Sequence, residues 1–186
     1  GSCYIKLVHA FKLAYNNGHY QMILASHIII SGILASKTQN YFLAAVIGLI
    51  SHYVLDAIPH WDYLSDEFEP GIKTEKSFIK RKEFWREIIK ITTDALAGFG
   101  FLAFFVFIDK DANIAPLIVS ALFGILPDAM QFLYWITDWK FIKWNIDFQE
   151  FAHNLIHRKI NPGFQSGIMT QIATIGIVFL ILRGGI

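Results

Sequence analysis

A chain of 186 residues with a net charge of +1 is long enough for one packed domain, and its near-neutral balance gives no electrostatic ground for binding nucleic acid. The single cysteine, Cys3, excludes an intramolecular disulfide and a cysteine-based zinc site. A content of 54% hydrophobic and 16% aromatic residues fits either a dense soluble helical domain or a small integral membrane protein, and the distribution of charge selects the second.

Residues 1–20 read as an amphipathic lead-in with Lys6 and Lys12, closing on the turn-like Asn16-Asn17-Gly18. The first apolar run begins near Gln21 and lacks a cleavage site after it, so no cleavable signal is expected. Between 21 and 55 the only charged residue is Lys37, and 95–108, 112–127 and 164–182 carry none. Uncharged runs of about 16–20 residues, repeated along a chain, are what a bilayer requires. Spans are therefore expected at about 20–36 and 41–58, then one ending near 108, one over 112–136 interrupted at Pro127-Asp128, and one over 166–182. The first two are short, since about 17 residues reach only roughly 25 Å.

Residues 59–90 and 138–163 read as interfacial segments. The first passes from acidic (Asp62, Asp66, Glu67, Glu69) to basic (Lys73, Lys76, Lys80, Arg81, Lys82, Arg86, Lys90), a stretch that is either a solvated face or an attraction for anionic lipid and phosphate-bearing substrate. The expected fold is all-α: one polytopic helical bundle of about five spans covering 1–186. Thirteen of the sixteen Lys and Arg, and all five Trp, then fall on one side of the bilayer, which the positive-inside rule makes cytoplasmic.

The chemistry concentrates in residues 48–63, GLISHYVLDAIPHWDY. His52 and Asp56 are four apart and share one helix face, as two ligands of one ion need to. Pro59 lacks a backbone donor and biases Ile58 away from the helical region, so the helix stops there and leaves His60 and Asp62 beyond its end, at the water's edge. His27, His52, Asp94 and Asp128 lie on four different spans, each several residues from the cytoplasmic end, and so arrive in one layer. An Asp inside a span costs at least ~2.5–3.5 kcal/mol on insertion scales, which makes each such residue a functional candidate. Histidine and carboxylate without cysteine is the donor set of a catalytic zinc or a di-metal hydrolase. Further along, His153 and His157 have metal spacing or are two solvated histidines, and Glu150 precedes them without forming the zinc-protease pattern. Asp94 beside Thr92 and Thr93 either bonds within its own turn or orients a histidine.

These motifs, together with Ser26-His27 and the Gly124-Ile125-Leu126-Pro127-Asp128 stretch, resemble the integral membrane metal-dependent hydrolase family of bacteria. The His-x3-Asp helix followed by Pro and His also looks like the zinc-dependent phospholipase C family, which is all-helical and trinuclear. The resemblance implies metal ligation by His27, His52, Asp56 and Asp128, with His153 or His157, and places the protein in the bacterial cytoplasmic membrane with its site facing the cytoplasm. His60 is a further candidate ligand, and Asp62 and Asp94 are candidate catalytic residues. The function expected is a metal-dependent hydrolase with zinc as the metal, two or three ions, and an interfacial phosphoester such as a phospholipid as substrate. Its rivals are a divalent-cation or proton transporter, which would need polar residues continuing to the far face, and a scaffold whose buried polar groups only hold helices together.

Overall fold

A computed structural model describes residues 24–58, 60, 82–137, 139–156 and 164–183, without the side chains of 83, 135, 136, 153, 154, 156, 164, 182 and 183. The lead-in at 1–20, most of the interfacial loop at 59–81, and residues 157–163 lie outside that description. The described chain is all-α: α1 Leu24–Ala35, α2 Tyr41–Ala57, α3 Lys82–Ile108, α4 Ile114–Gly124, α5 Leu126–Thr137, a 3-10 turn Lys140–Ile142, α6 Lys143–Ile156 and α7 Phe164–Arg183.

The central element is α1, twelve described residues long. α1 buries ten of its twelve residues and packs against α2, α3, α4 and α7. A helix apolar all round belongs inside a bundle, and twelve residues reach only about 18 Å. Its Leu24, Ile28, Ile29 and Ile33 form the core with Leu102 and Phe105 of α3 and Leu117 and Ala121 of α4. At the end remote from His27 the turns are tied together: Asn113 N donates to Ser36 O at 2.7 Å, and Lys37 pairs with Asp109 at 2.8 Å.

Two stretches are long and apolar enough to cross a membrane, Phe84–Ile108 and Ile114–Tyr134, the second being α4 and α5 taken together. Leu24–Ala35, Tyr41–Ala57 and Gln165–Ile181 are apolar but shorter. Among the described residues, two of the five expected spans thus reach the required length. The expectation rested on runs without charge, and such a run marks a helix buried among other helices as readily as one facing lipid.

α2 begins where Asn40 Oδ1 accepts from Leu43 N at 3.0 Å, an N-cap bond. It ends at Ala57, with Ile58 extended at φ −80 and ψ 130 before Pro59, as a residue preceding proline must be. α2 lies very close to α4. A Cβ built on Gly48 would run into the carbonyl oxygen of Ser120 and sit 3.0 Å from Gly124 N. Gly124 in turn abuts the Ser31 side chain of α1, and Ser120 Oγ donates to Ser31 O at 2.8 Å. Small residues at these crossings let three backbones converge.

Polarity is inverted in α6. Asn145, Gln149 and Ala152 are buried, whereas Trp144 is 59% and Phe151 58% exposed, with Phe148 and Leu155 exposed beside them. Large apolar side chains also face outward from α3 (Leu96, Phe104, Phe107) and α7 (Met169, Ile172, Leu180). Apolar faces of this extent call for a non-aqueous neighbour.

Candidate metal centre

Four helices place the site. Pro127 cannot continue α4, because its ring would meet the carbonyl of Phe123 and it has no N–H to give. The chain breaks at Ile125 and restarts as α5, with Pro127 and Asp128 in the first turn. Proline is tolerated there, and a carboxylate is favoured by the helix dipole. The break also leaves Gly124 O in the last turn of α4 without an intrahelical donor, and His52 Nδ1 of α2 donates to it at 2.8 Å.

That hydrogen bond determines what the other edge of the ring presents. A carbonyl only accepts, so Nδ1 carries a proton, and in the neutral ring Nε2 holds the lone pair. Nε2 lies 3.2 Å from Asp56 Oδ2 and 3.8 Å from Asp128 Oδ1. Asp56 reaches both imidazoles, its Oδ1 standing 3.4 Å from His27 Nε2. The two rings are tilted together with centroids 4.6 Å apart. His27, His52 and Asp128 each offer a donor atom within 4.8 Å of the others, and all are buried. This buried group could hold a metal ion.

Around a tetrahedral zinc with bonds of about 2.0–2.1 Å, neighbouring ligand atoms stand roughly 3.3 Å apart; His52 Nε2 is 3.2 Å from Asp56 Oδ2 and 3.8 Å from Asp128 Oδ1, and His27 Nε2 is 3.4 Å from Asp56 Oδ1, the other oxygen of that carboxylate. Charge balances as well: two carboxylates against one divalent ion, with neutral imidazoles, leave a buried site without net charge, the condition under which burial is tolerable. The backbone acceptor behind His52 is the kind of outer partner that orients a metal-ligating ring.

α6 closes the site with residues that motif reading passed over. Gln149 Nε2 lies 3.2 Å from His52 Nε2 and donates to Asp128 Oδ1 at 3.3 Å. Asn145 Nδ2 donates to Pro127 O at 3.0 Å, and Tyr53 OH donates to Asn145 Oδ1 at 3.1 Å. Their signal in the sequence is an i, i+4 amide pair on the helix face beside the aromatic stripe of α6. If the group holds a divalent ion, Gln149→Ala is expected to weaken its affinity by roughly 10–100-fold, the usual effect of losing an orienting partner. A competitive chelator titration checks this, with the melting profile of the metal-free protein as the control for folding.

The remaining candidates fall elsewhere. His60 is buried rather than at the water's edge, and its Nδ1 bonds Ile58 O at 2.6 Å. Asp94 accepts from Ala25 N at 3.1 Å through Oδ2, so it caps the start of α1 from α3. Asp94→Asn should therefore cost roughly 1–2 kcal/mol of stability at that helix terminus and leave metal stoichiometry unchanged, as unfolding and metal analysis of the same sample would show. His153 belongs to α6 by its backbone, its side chain lying outside the description, and Asp62 and His157 lie outside the described residues.

Comparison of the chain with protein-family models, with curated proteins and with solved structures finds no match, so the functional reading rests on this site's own chemistry.

Proposed function

We propose that this protein is a membrane-embedded, zinc-dependent hydrolase of phosphoesters, with His27, His52, Asp56 and Asp128 as its metal ligands. The observation that carries the reading is His52: its Nδ1 is committed to Gly124 O while its Nε2 meets two buried carboxylates. Three acceptors gathered in a buried interior are a donor set that suits a cation. A bound divalent ion supplies Lewis acidity and lowers the pKa of water. The protein's own part is to hold the donors rigidly: Gly124 O fixes the His52 ring, Gln149 steadies Asp128, and Asp56 joins the two imidazoles.

Membrane residence is supported by the two helices of spanning length and by the outward apolar faces of α3, α6 and α7. Lys82 and Arg86 are exposed in the first turns of α3, ahead of Asp94, which lies near the middle of that helix and meets Ala25 N of α1. Cations there favour an anionic substrate at the interface, which points to a phospholipid, and the distribution of Lys and Arg along the chain supports a site facing the cytoplasm. The resemblance of 48–63 and 124–128 to the integral membrane metal-dependent hydrolases agrees with this reading.

The test is hydrolysis of bis(p-nitrophenyl) phosphate, and of phosphatidylglycerol in vesicles, by the purified zinc-loaded protein. Activity that EDTA removes and zinc restores supports the reading; a protein that holds zinc stoichiometrically and hydrolyses neither substrate contradicts it.

A further inference from the structure

α6 carries three faces of different chemistry. Trp144, Phe148, Phe151 and Leu155 form an exposed apolar stripe, Asn145, Gln149 and Ala152 are buried, and Lys143, Asp147 and Glu150 form an exposed charged edge. At about 100° per residue, the three sets stand roughly a third of a turn apart around the helix axis. The charged edge is ordered by a pair from Lys143 Nζ to Asp147 Oδ1 at 2.6 Å. Such a helix asks for three neighbours, which are the protein, an apolar phase and water. It meets all three by lying along a membrane surface.

The connection to α6 agrees with that placement. The stretch of spanning length, Ile114–Tyr134, leads through the end of α5 and the 3-10 turn into α6. α6 therefore starts at the level where that stretch would leave a bilayer. Trp139 and Phe141 are exposed at the turn beside exposed Lys140, and Trp with Lys is the pairing of headgroup level. On the protein side α6 offers little apolar surface: among its described apolar side chains only Ala152 is buried. Its hold on the metal centre is through Gln149 Nε2, 3.2 Å from His52 Nε2 and 3.3 Å from Asp128 Oδ1, both at or beyond the usual hydrogen-bond limit. The stripe reaches the same place, since Phe148 stands edge-on to Tyr53 at 4.6 Å and Tyr53 edge-on to His52 at 5.1 Å.

We propose that the aromatic stripe seats α6 in the boundary between lipid headgroups and acyl chains, and that this seating holds Gln149 on the metal centre. The inference rests on the membrane and metal readings, and it adds the partner, the lipid surface, and what that partner controls. Apolar contact outside keeps the amide face inside. When the stripe leaves lipid, α6 lifts, Gln149 parts from Asp128 and His52, and the centre releases its ion more readily. Gln149 is thus a positioning residue through which the bilayer acts on the ligands.

The test uses the full chain in vesicles of phosphatidylethanolamine and phosphatidylglycerol. In a Cys3→Ser background, spin labels at Phe151→Cys and Glu150→Cys, about 100° apart on the helix, should report opposite media. The label at 151 should collide more with oxygen than with a water-soluble nickel chelate, and the label at 150 the reverse. A label at 151 that meets nickel as freely as the one at 150 overturns the seating. Spin–spin broadening at 151 overturns it too, by putting a second copy of the chain on the stripe. Titration of zinc against a chelator reads the coupling. Trp144→Ser with Phe151→Ser should weaken zinc binding by roughly 10–100-fold, as loss of Gln149 itself does. Added to Gln149→Ala, the pair should cost no more than about 2-fold further. Wild-type affinity in the stripe variant, or losses that multiply when the three substitutions are combined, overturn the coupling. A wild type that takes up no zinc overturns the metal centre and the coupling together, while the labels judge the seating on their own.

Discussion

Asp56→Ala is expected to lower zinc affinity by more than about 100-fold, the largest effect of any single substitution at the site. Loss of an orienting partner alone costs 10–100-fold, and Asp56 is more than that: its two oxygens reach His27 and His52 at 3.4 and 3.2 Å. Without it, no carboxylate joins the two rings, and the charge left to balance a divalent ion is halved. Asp56→Asn keeps the shape and one carbonyl oxygen but not the charge, and is expected to fall between Ala and wild type. Zinc at 100 times its dissociation constant should stabilise the wild type by about 2.7 kcal/mol. The same zinc concentration should leave Asp56→Ala close to its apo stability, and thermal unfolding in detergent with and without zinc reads the difference.

Gly48→Ala is the second large effect, and it acts on the site from a full turn away. The added Cβ meets the Ser120 carbonyl, Gly124 N and the Phe123 Cβ, and no side-chain rotation relieves a clash with backbone. α2 has to lift off α4. His52, one turn further along α2, then loses its 2.8 Å bond to Gly124 O. Overpacking together with a broken buried hydrogen bond is expected to cost about 2–4 kcal/mol, and zinc occupancy should fall although no ligand has changed. Gly100→Ala is the control: a Cβ there meets nothing within 4 Å, so helix propensity should make it neutral or stabilising by up to about 1 kcal/mol. Equal effects of the two substitutions on zinc occupancy would contradict the packing account.

The site was legible where its residues break a pattern. His27 and Asp128 stand in uncharged runs, His52 and Asp56 repeat at helical spacing, and Pro127 announces the chain break that exposes Gly124 O to His52. Convergence of His27, His52 and Asp128 followed from counting residues inward from one end of each helix. Asp94 obeys the same count and comes to the same end of the bundle, but its carboxylate serves the α1 backbone at Ala25, a role that spacing alone does not distinguish from ligation.

What was not legible depends on which face of a helix is inside. Nothing in the sequence singles out Asn145 and Gln149 within the interfacial segment, because in water the Trp144, Phe148 and Phe151 stripe would be the buried one. In the structure that stripe is outside and the amides are within. Periodicity reveals that α6 has two faces and not which of them meets the protein. The span count is met only in part among the described residues, and absence of charge is common to a helix in lipid and to one surrounded by other helices, as α1 is. His60 is buried rather than at the water's edge, a placement that a helix stop at Ile58 does not specify.

The most direct test is the metal content of the wild-type protein, purified without chelator, against a variant carrying His52→Ala and Asp56→Ala. The site described here predicts at least one tightly held divalent ion per wild-type chain and none in the double variant. A wild type that carries no ion after purification, and takes up none when zinc is added, would contradict it.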